Sequence, residues 1–238
     1  MSPLHTTRAI VLRAFRHGDN SVVLKAYTEA FGARTYVART GKRGAARPAY
    51  LQPLARVELV VTESRERDMH RIQEARLRLP YGDSHTDQAR AAVLLFMQEV
   101  FYRTLREESP DTALFNCLEQ LLAEVDTGSR PGMLPLLVLL RLAKHLGFLP
   151  ELPQPGEDRF DMQEGWFFRG PAPHAHCMEP PIASVLAELL RAEINGDDPL
   201  IGGAARRELL DQLLVFFRMH VEGFGQLRSP EVLHALLH

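Results

Sequence analysis

The period of the apolar residues changes once along this chain, at Pro80-Tyr81-Gly82-Asp83, and the change limits the folds open to it. Ahead of that point apolar residues alternate with polar ones, the spacing of strands; beyond it they recur every 3.6 residues, the spacing of helices. The first strand is expected over Thr6–Arg16, with Ile10, Leu12 and Ala14 on one face and Val11 and Arg13 on the other, a half-buried pattern. The turn signal His17-Gly18-Asp19-Asn20 follows, then the run Val22–Tyr27, then Phe31-Gly32 as a tight connection into Thr35–Ala38. Val57, Leu59 and Val61 alternate with Arg56, Glu58 and Val60 in a fourth strand, and Met69–Leu79 is the fifth. Short strands separated by turns suit a small closed barrel, because closure leaves no unpaired edge.

The second part reads as helices. Ala91, Leu94, Leu95, Val100, Phe101 and Leu105 mark one across 88–107. Asp111 is an N-cap for a second that buries Leu114, Phe115, Leu118, Leu121, Leu122 and Val125. A third runs from Leu134 to His145 and stops at Gly147, with further helices expected at 182–193, 204–222 and 230–237. Residues 148–182 are rich in Pro and Gly and hold one strand-like piece, Gly165–Phe168. The expectation is therefore an α+β chain: a barrel domain over 1–80 and an all-helical domain over 81–238, with an irregular insertion at 148–182. The apolar run Met133–Leu140 contains Pro135 and ends at Arg141, too short to cross a membrane. Two cysteines, Cys117 and Cys177, make no disulfide framework and point to a reducing cytoplasm.

Net charge is −2, but its distribution is uneven. Residues 1–80 carry 15 Lys+Arg against 7 Asp+Glu; residues 81–238 carry 13 against 23. A basic module joined to an acidic one points to a polyanion partner for the first. From Ala30 through Val57 there is no acidic residue, while Arg34, Arg39, Lys42, Arg43, Arg47 and Arg56 fall in that stretch. Small residues between the cations let the backbone approach phosphate, and the cations displace condensed counterions. Tyr27, Phe31 and Tyr36 lie on neighbouring strands, where each is either barrel core or a platform for base stacking.

Catalytic signatures are scarce: the sequence holds no GxSxG, P-loop, HExxH or GxGxxG. His174, His176 and Cys177 are zinc-type ligands, and a metal-dependent hydrolase built on them is the alternative reading. Yet a structural zinc takes four ligands, there is no CxxC, and Asp158 or Asp161 must complete the set, so neither metal nor other cofactor is expected. Cys117, among Leu114, Phe115, Leu118 and Leu121, reads as a small core residue.

Several segments, in order, resemble the DNA repair protein RecO family. Thr7-Arg8-Ala9-Ile10-Val11-Leu12-Arg13 resembles its first strand, His17-Gly18-Asp19-Asn20-Ser21 its first turn, and Tyr27-Thr28 up to Gly32 its hairpin. Ala38-Arg39-Thr40-Gly41-Lys42-Arg43 resembles its basic loop; Leu51-Gln52-Pro53-Leu54 and Leu146–Leu149, ending at Pro150, also match in order. The resemblance implies an OB-fold followed by a helical domain and a recombination mediator without catalysis. It implies binding and annealing of single-stranded DNA, contact with double-stranded DNA, partnership with RecR, and contact with the C-terminal tail of single-stranded DNA-binding protein. Together these load RecA onto coated strands. A protein of this kind belongs in the cytoplasm at the nucleoid, with no membrane contact; a protein-only adaptor is the remaining alternative.

On that reading Arg13, Lys25, Arg34, Arg39, Lys42, Arg43 and Arg47 contact phosphate and Tyr27 and Tyr36 stack bases; only Arg39, Lys42 and Arg43 rest on the family's motif. The tail is acidic with a terminal carboxylate, so its receptor needs an apolar pocket rimmed by cations. The helix Leu134–His145 offers Arg141 and Lys144 beside Leu137, Val138 and Leu140, with Arg206 and Arg207 as the next candidates. Many members of the family carry a four-cysteine zinc insertion after the Leu146-Gly147 turn. Here Pro155, Asp158, His174 and Cys177 stand at those places, and the sequence resembles the zinc-less branch, in which packing of Phe160, Trp166 and Phe168 replaces the metal.

Overall fold

The computed structural model describes residues 3–39, 48–62, 69–79 and 87–236. They form two compact units, 1–127 and 128–238.

In the first unit, β1 (Leu4–Arg16), β2 (Ser21–Thr28), β3 (Gly32–Arg39), β4 (Arg56–Thr62) and β5 (His70–Leu79) close a barrel in the order β1-β2-β3-β5-β4. All pairs are antiparallel except β3–β5, where Tyr36 faces His70 and Val37 faces Arg71. This is the OB-fold. Its interior holds Ala9, Val11, Leu24, Ala26, Tyr36, Ala38, Val57, Leu59, Val61 and Ile72.

Two helices complete the unit: α1 (Gln88–Thr104) and α2 (Thr112–Thr127). The carboxylate of Asp87 caps α1 by accepting from the amides of Ala89 and Arg90, and Asp111 caps α2 by accepting from Leu114 at 2.8 Å. α1 packs on the outside of β1, and its Gln98 donates to the Leu12 carbonyl at 3.0 Å. Hence Ile10 and Leu12 are buried as fully as Ala9 and Val11. The half-buried strand expected from alternation is covered on both faces, because alternation in one strand does not report a helix arriving from later sequence. The change of periodicity at residue 80 and the edge of the compact unit at residue 127 fall at different places.

A bulge in β1 decides where its cation points. Val11 pairs with Ala26 and Arg13 with Lys25, which leaves Leu12 as an extra residue. Ala9 and Val11 face inward before it and Ala14 after it. Strict alternation would send Arg13 into the core; the bulge turns it out.

Gly32 sits at φ +66°, and a Cβ there would lie 2.3 Å from the Ser109 carbonyl oxygen. Glycine is therefore required both for the turn and for the close passage of the α1–α2 connection, whose Glu107 carbonyl accepts from the Ala33 amide at 2.8 Å.

The second unit contains α3 (Leu134–Leu146), α4 (Pro180–Asn195), α5 (Gly203–His220) and α6 (Ser229–Leu236). Gly147 ends α3 at φ +83°, as the stop signal predicts. The insertion is not irregular throughout: β6 (Arg159–Asp161), β7 (Trp166–Phe168) and β8 (Cys177–Met178) form a sheet in the order β7-β6-β8. Phe160 is fully buried against Phe167 and Phe216, at 5.0 and 5.4 Å between ring centroids. Trp166 is 56% exposed, so Phe160 and Phe167, rather than Trp166, carry this small core. Phe160 packs as the sequence suggested, but Phe167 takes the part expected of Trp166 and Phe168; adjacent strand residues face opposite ways, and Trp166 falls on the solvent side.

Candidate nucleic-acid interface

Folding pairs several cations of the basic region with acids. On the barrel, Arg8 pairs with Glu29 at 2.7 Å and with Glu119 of α2 at 3.1 Å. Arg78 also reaches Glu119, Arg56 is buried beside Asp126, and Arg34 meets Glu108 at 3.1 Å. Three of these acids lie in the sequence region that is acidic overall and come back onto the barrel through α2 and its connection. The charge difference along the sequence is therefore smaller in space.

Arg13 and Lys25 escape this pairing: no carboxylate partners either of them among the described residues. They stand directly opposite each other on β1 and β2, with Thr35 of β3 next in the row. Like charges in facing positions repel. What lies between them is Tyr102, near the end of α1: the Arg13 guanidinium carbon is 5.3 Å and the Lys25 ammonium 5.5 Å from its ring centroid. Burial works against the charged phenolate, but the hydrogen bonds and charges of Arg13 and Lys25 outweigh it and hold the Tyr102 phenol below its ordinary range. Lys25, Arg34, Thr35, Tyr102, Arg106 and Glu108 line a cavity of 310 Å³, floored by Leu12, Ala26 and Ala33.

The remaining expected residues divide as follows. Arg39 is exposed at the end of β3, while Lys42, Arg43 and Arg47 lie outside the described residues. Tyr27 and Tyr36 are 1% and 0% exposed. Tyr27 stacks on Phe115, and burial first, then the Asp111 and Glu107 charges, push its phenol up to about 12. Tyr36 lies in the barrel interior near His70. Neither offers a ring face to a base, which corrects their assignment as stacking platforms. Tyr102 was missed, although its sequence position gave a signal: it falls between Phe101 and Arg103, off the buried stripe of its helix.

In the second unit, Asp161, His174 and Cys177 bring one ligand atom each within 4.8 Å of the others; His176 and Asp158 do not join them. The Asp161 carboxylate accepts from the amides of Gln163 and Glu164 and lies 3.2 Å from His174 Nε2. His174 Nδ1 accepts from the His176 amide at 3.2 Å and lies 3.6 Å from Cys177 Sγ. Burial raises the Cys177 thiol, which disfavours thiolate. Three ligand atoms fall short of the four that a structural zinc takes.

Arg141 is bound by Glu193 of α4 at 2.8 and 3.2 Å, and neighbouring Val138 and Leu140 are buried; Lys144 is exposed. Arg206 and Arg207 instead border a hollow with Pro135, Leu136, Leu210 and Leu233. No helix among the described residues is long and apolar enough to cross a membrane.

Barrel and helices together define an OB-fold protein with a helical C-terminal region. The family model for the recombination protein O N terminal matches residues 1–81, and that for the recombination protein O C terminal matches 85–230. The DNA repair protein RecO of Bacteroides fragilis is 29% identical over 241 residues, covering 98% of this chain and 99% of that protein. Those of Porphyromonas gingivalis and Christiangramia forsetii are 28% and 26% identical over 97% of this chain, and each is covered over 98% of its own length. The chain belongs to the recombination protein O family of DNA repair proteins.

Proposed function

We propose that this chain is a non-catalytic recombination mediator. It binds and anneals single-stranded DNA, contacts double-stranded DNA, and with RecR helps load RecA onto strands coated by single-stranded DNA-binding protein. The observation that carries the DNA reading is the facing pair Arg13 and Lys25, with no carboxylate partner among the described residues, beside the cavity that Lys25 and Arg34 line. Arg39 extends the same strand system, and Lys42, Arg43 and Arg47 follow it in sequence. A salt titration of oligonucleotide binding tests this. Arg13→Glu with Lys25→Glu should weaken binding and lower the slope of log K against log salt by at least about 1.4 for single strands, the loss of two phosphate contacts. An unchanged slope in a folded double variant removes these residues from the interface.

The tail of single-stranded DNA-binding protein is assigned to the hollow beside Arg206 and Arg207. Glu193 already occupies Arg141, whereas Arg207 is exposed above apolar Pro135, Leu136, Leu210 and Leu233. An acidic peptide with an apolar end meets both needs there. Arg207→Glu should cut tail-peptide affinity at least tenfold, since an attraction becomes a repulsion, and leave oligonucleotide binding intact. Loss of peptide binding in Arg141→Glu alone restores α3 as the receptor.

A further inference from the structure

The cavity between the barrel and α1 has a third polar group that the phosphate-binding reading does not use. Tyr102 lines it beside Lys25, and its hydroxyl carries a proton that it can donate. Lys25, the Tyr102 phenol and the half-buried Arg34 line one small volume, and Arg13 faces Lys25 beside it. Such convergence costs repulsion and desolvation, and an anion entering the cavity relieves both. The cations lie over the ring of Tyr102, so the ring supports them and leaves a phosphate, rather than a stacked base, as the group that the site fits.

We propose that Arg13, Lys25 and the Tyr102 hydroxyl form a seat for a single phosphodiester group of bound DNA, completed by α1 rather than by the barrel alone. The proposal rests on the DNA-binding reading above and adds to it a defined anchoring point. Tyr102 binds the phosphate directly by donating its O–H to a non-bridging oxygen. Arg34 and Arg106 border the path of the neighbouring nucleotides. Glu108 pairs with Arg34 at the rim, and its side chain is 79% exposed, so it is free to move aside as the strand enters.

The test uses the full chain and a labelled single-stranded oligonucleotide, with anisotropy measured across a series of salt concentrations. Tyr102→Phe keeps the ring and removes only the hydroxyl. Affinity should fall on the order of tenfold, the loss of one hydrogen bond to a charged group, with the salt slope unchanged because no cation is lost. Lys25→Ala should lower the slope by about 0.7. Combined with it, Tyr102→Phe should cost much less than in the native chain, because both groups hold one phosphate. Native affinity in Tyr102→Phe, alongside weakened Lys25→Ala, overturns the seat. A slope lowered by Tyr102→Phe also overturns it, since the hydroxyl then only positions the cations. If the native chain binds no oligonucleotide, the DNA reading itself fails, and inorganic phosphate decides the seat separately. A melting temperature raised by phosphate in the native chain but not in Tyr102→Phe keeps the seat with free phosphate as its ligand; no rise in either removes it.

Discussion

Arg8 shows how one side chain ties sequence regions together. Its guanidinium holds Glu29 across the hairpin and Glu119 on α2, and lies 5.1 Å from the centre of the Phe115 ring. The hydrogen bond from Arg8 keeps the Glu29 carboxyl below its ordinary 4.5, against a smaller opposing effect of burial. A lowered carboxyl stabilises the fold above the unfolded value and loses that contribution as pH falls through the folded one. Glu29→Gln should therefore lower stability by about 1–2 kcal/mol near neutrality, modest because both side chains keep some water contact. The difference should shrink below pH 4.5 and vanish in stronger acid. Urea titrations of both proteins at several pH values check this; a difference that persists in acid refutes the ion pair. Such pairs are invisible in sequence. Arg8 and Glu119 are 111 residues apart, and charge counts cannot say which cations find acids. That is why Arg56 reads as part of a basic surface although it is buried beside Asp126.

Elements were more legible than their faces. All five barrel strands follow from turn residues and apolar runs, α1 follows from its 3.6-residue period, and the start of α2 follows from Asp111, which caps it. Several boundaries shift: β3 begins at Gly32 rather than Thr35, α1 stops at Thr104, short of 107, α4 begins at Pro180, with prolines in its first turn, and α5 ends at His220, short of 222. The bulge at Leu12 was not legible, because one extra residue in a strand leaves no mark in composition. Two of the three short strands in the insertion were missed because two or three residues carry no readable period. That small sheet has a prediction of its own. Phe160 is fully buried between Phe167 and Phe216, so Phe160→Ala should cost about 3–5 kcal/mol. A chelator should leave the melting temperature of the native chain unchanged, because Asp161, His174 and Cys177 supply too few atoms for a structural zinc. One zinc per chain by elemental analysis, with a melting temperature lowered by chelation, overturns the second expectation.

At the scale of the whole chain, two boundaries compete. Family matches divide it between residues 81 and 85, where the period changes, while compact packing divides it after Thr127. The packing boundary has the stronger physical claim to be the unit that folds. Without α1, the outer faces of Ile10 and Leu12 lose the helix that covers β1, and the Leu12 carbonyl loses its bond from Gln98. Without α2, Arg8 and Arg78 lose Glu119, and the buried Arg56 loses Asp126. A buried cation stripped of its carboxylate is strongly destabilising, on the order of 3–5 kcal/mol. A small barrel has little stability in reserve to absorb that loss. A fragment of residues 1–127 should therefore unfold cooperatively in urea and bind a single-stranded oligonucleotide with the salt slope of the full chain. A fragment of residues 1–80 should show no cooperative transition and should aggregate through exposed Ile10 and Leu12. If the shorter fragment folds and binds with the affinity of the full chain, α1 and α2 are accessories to the barrel, and Tyr102 is not part of the surface that holds DNA.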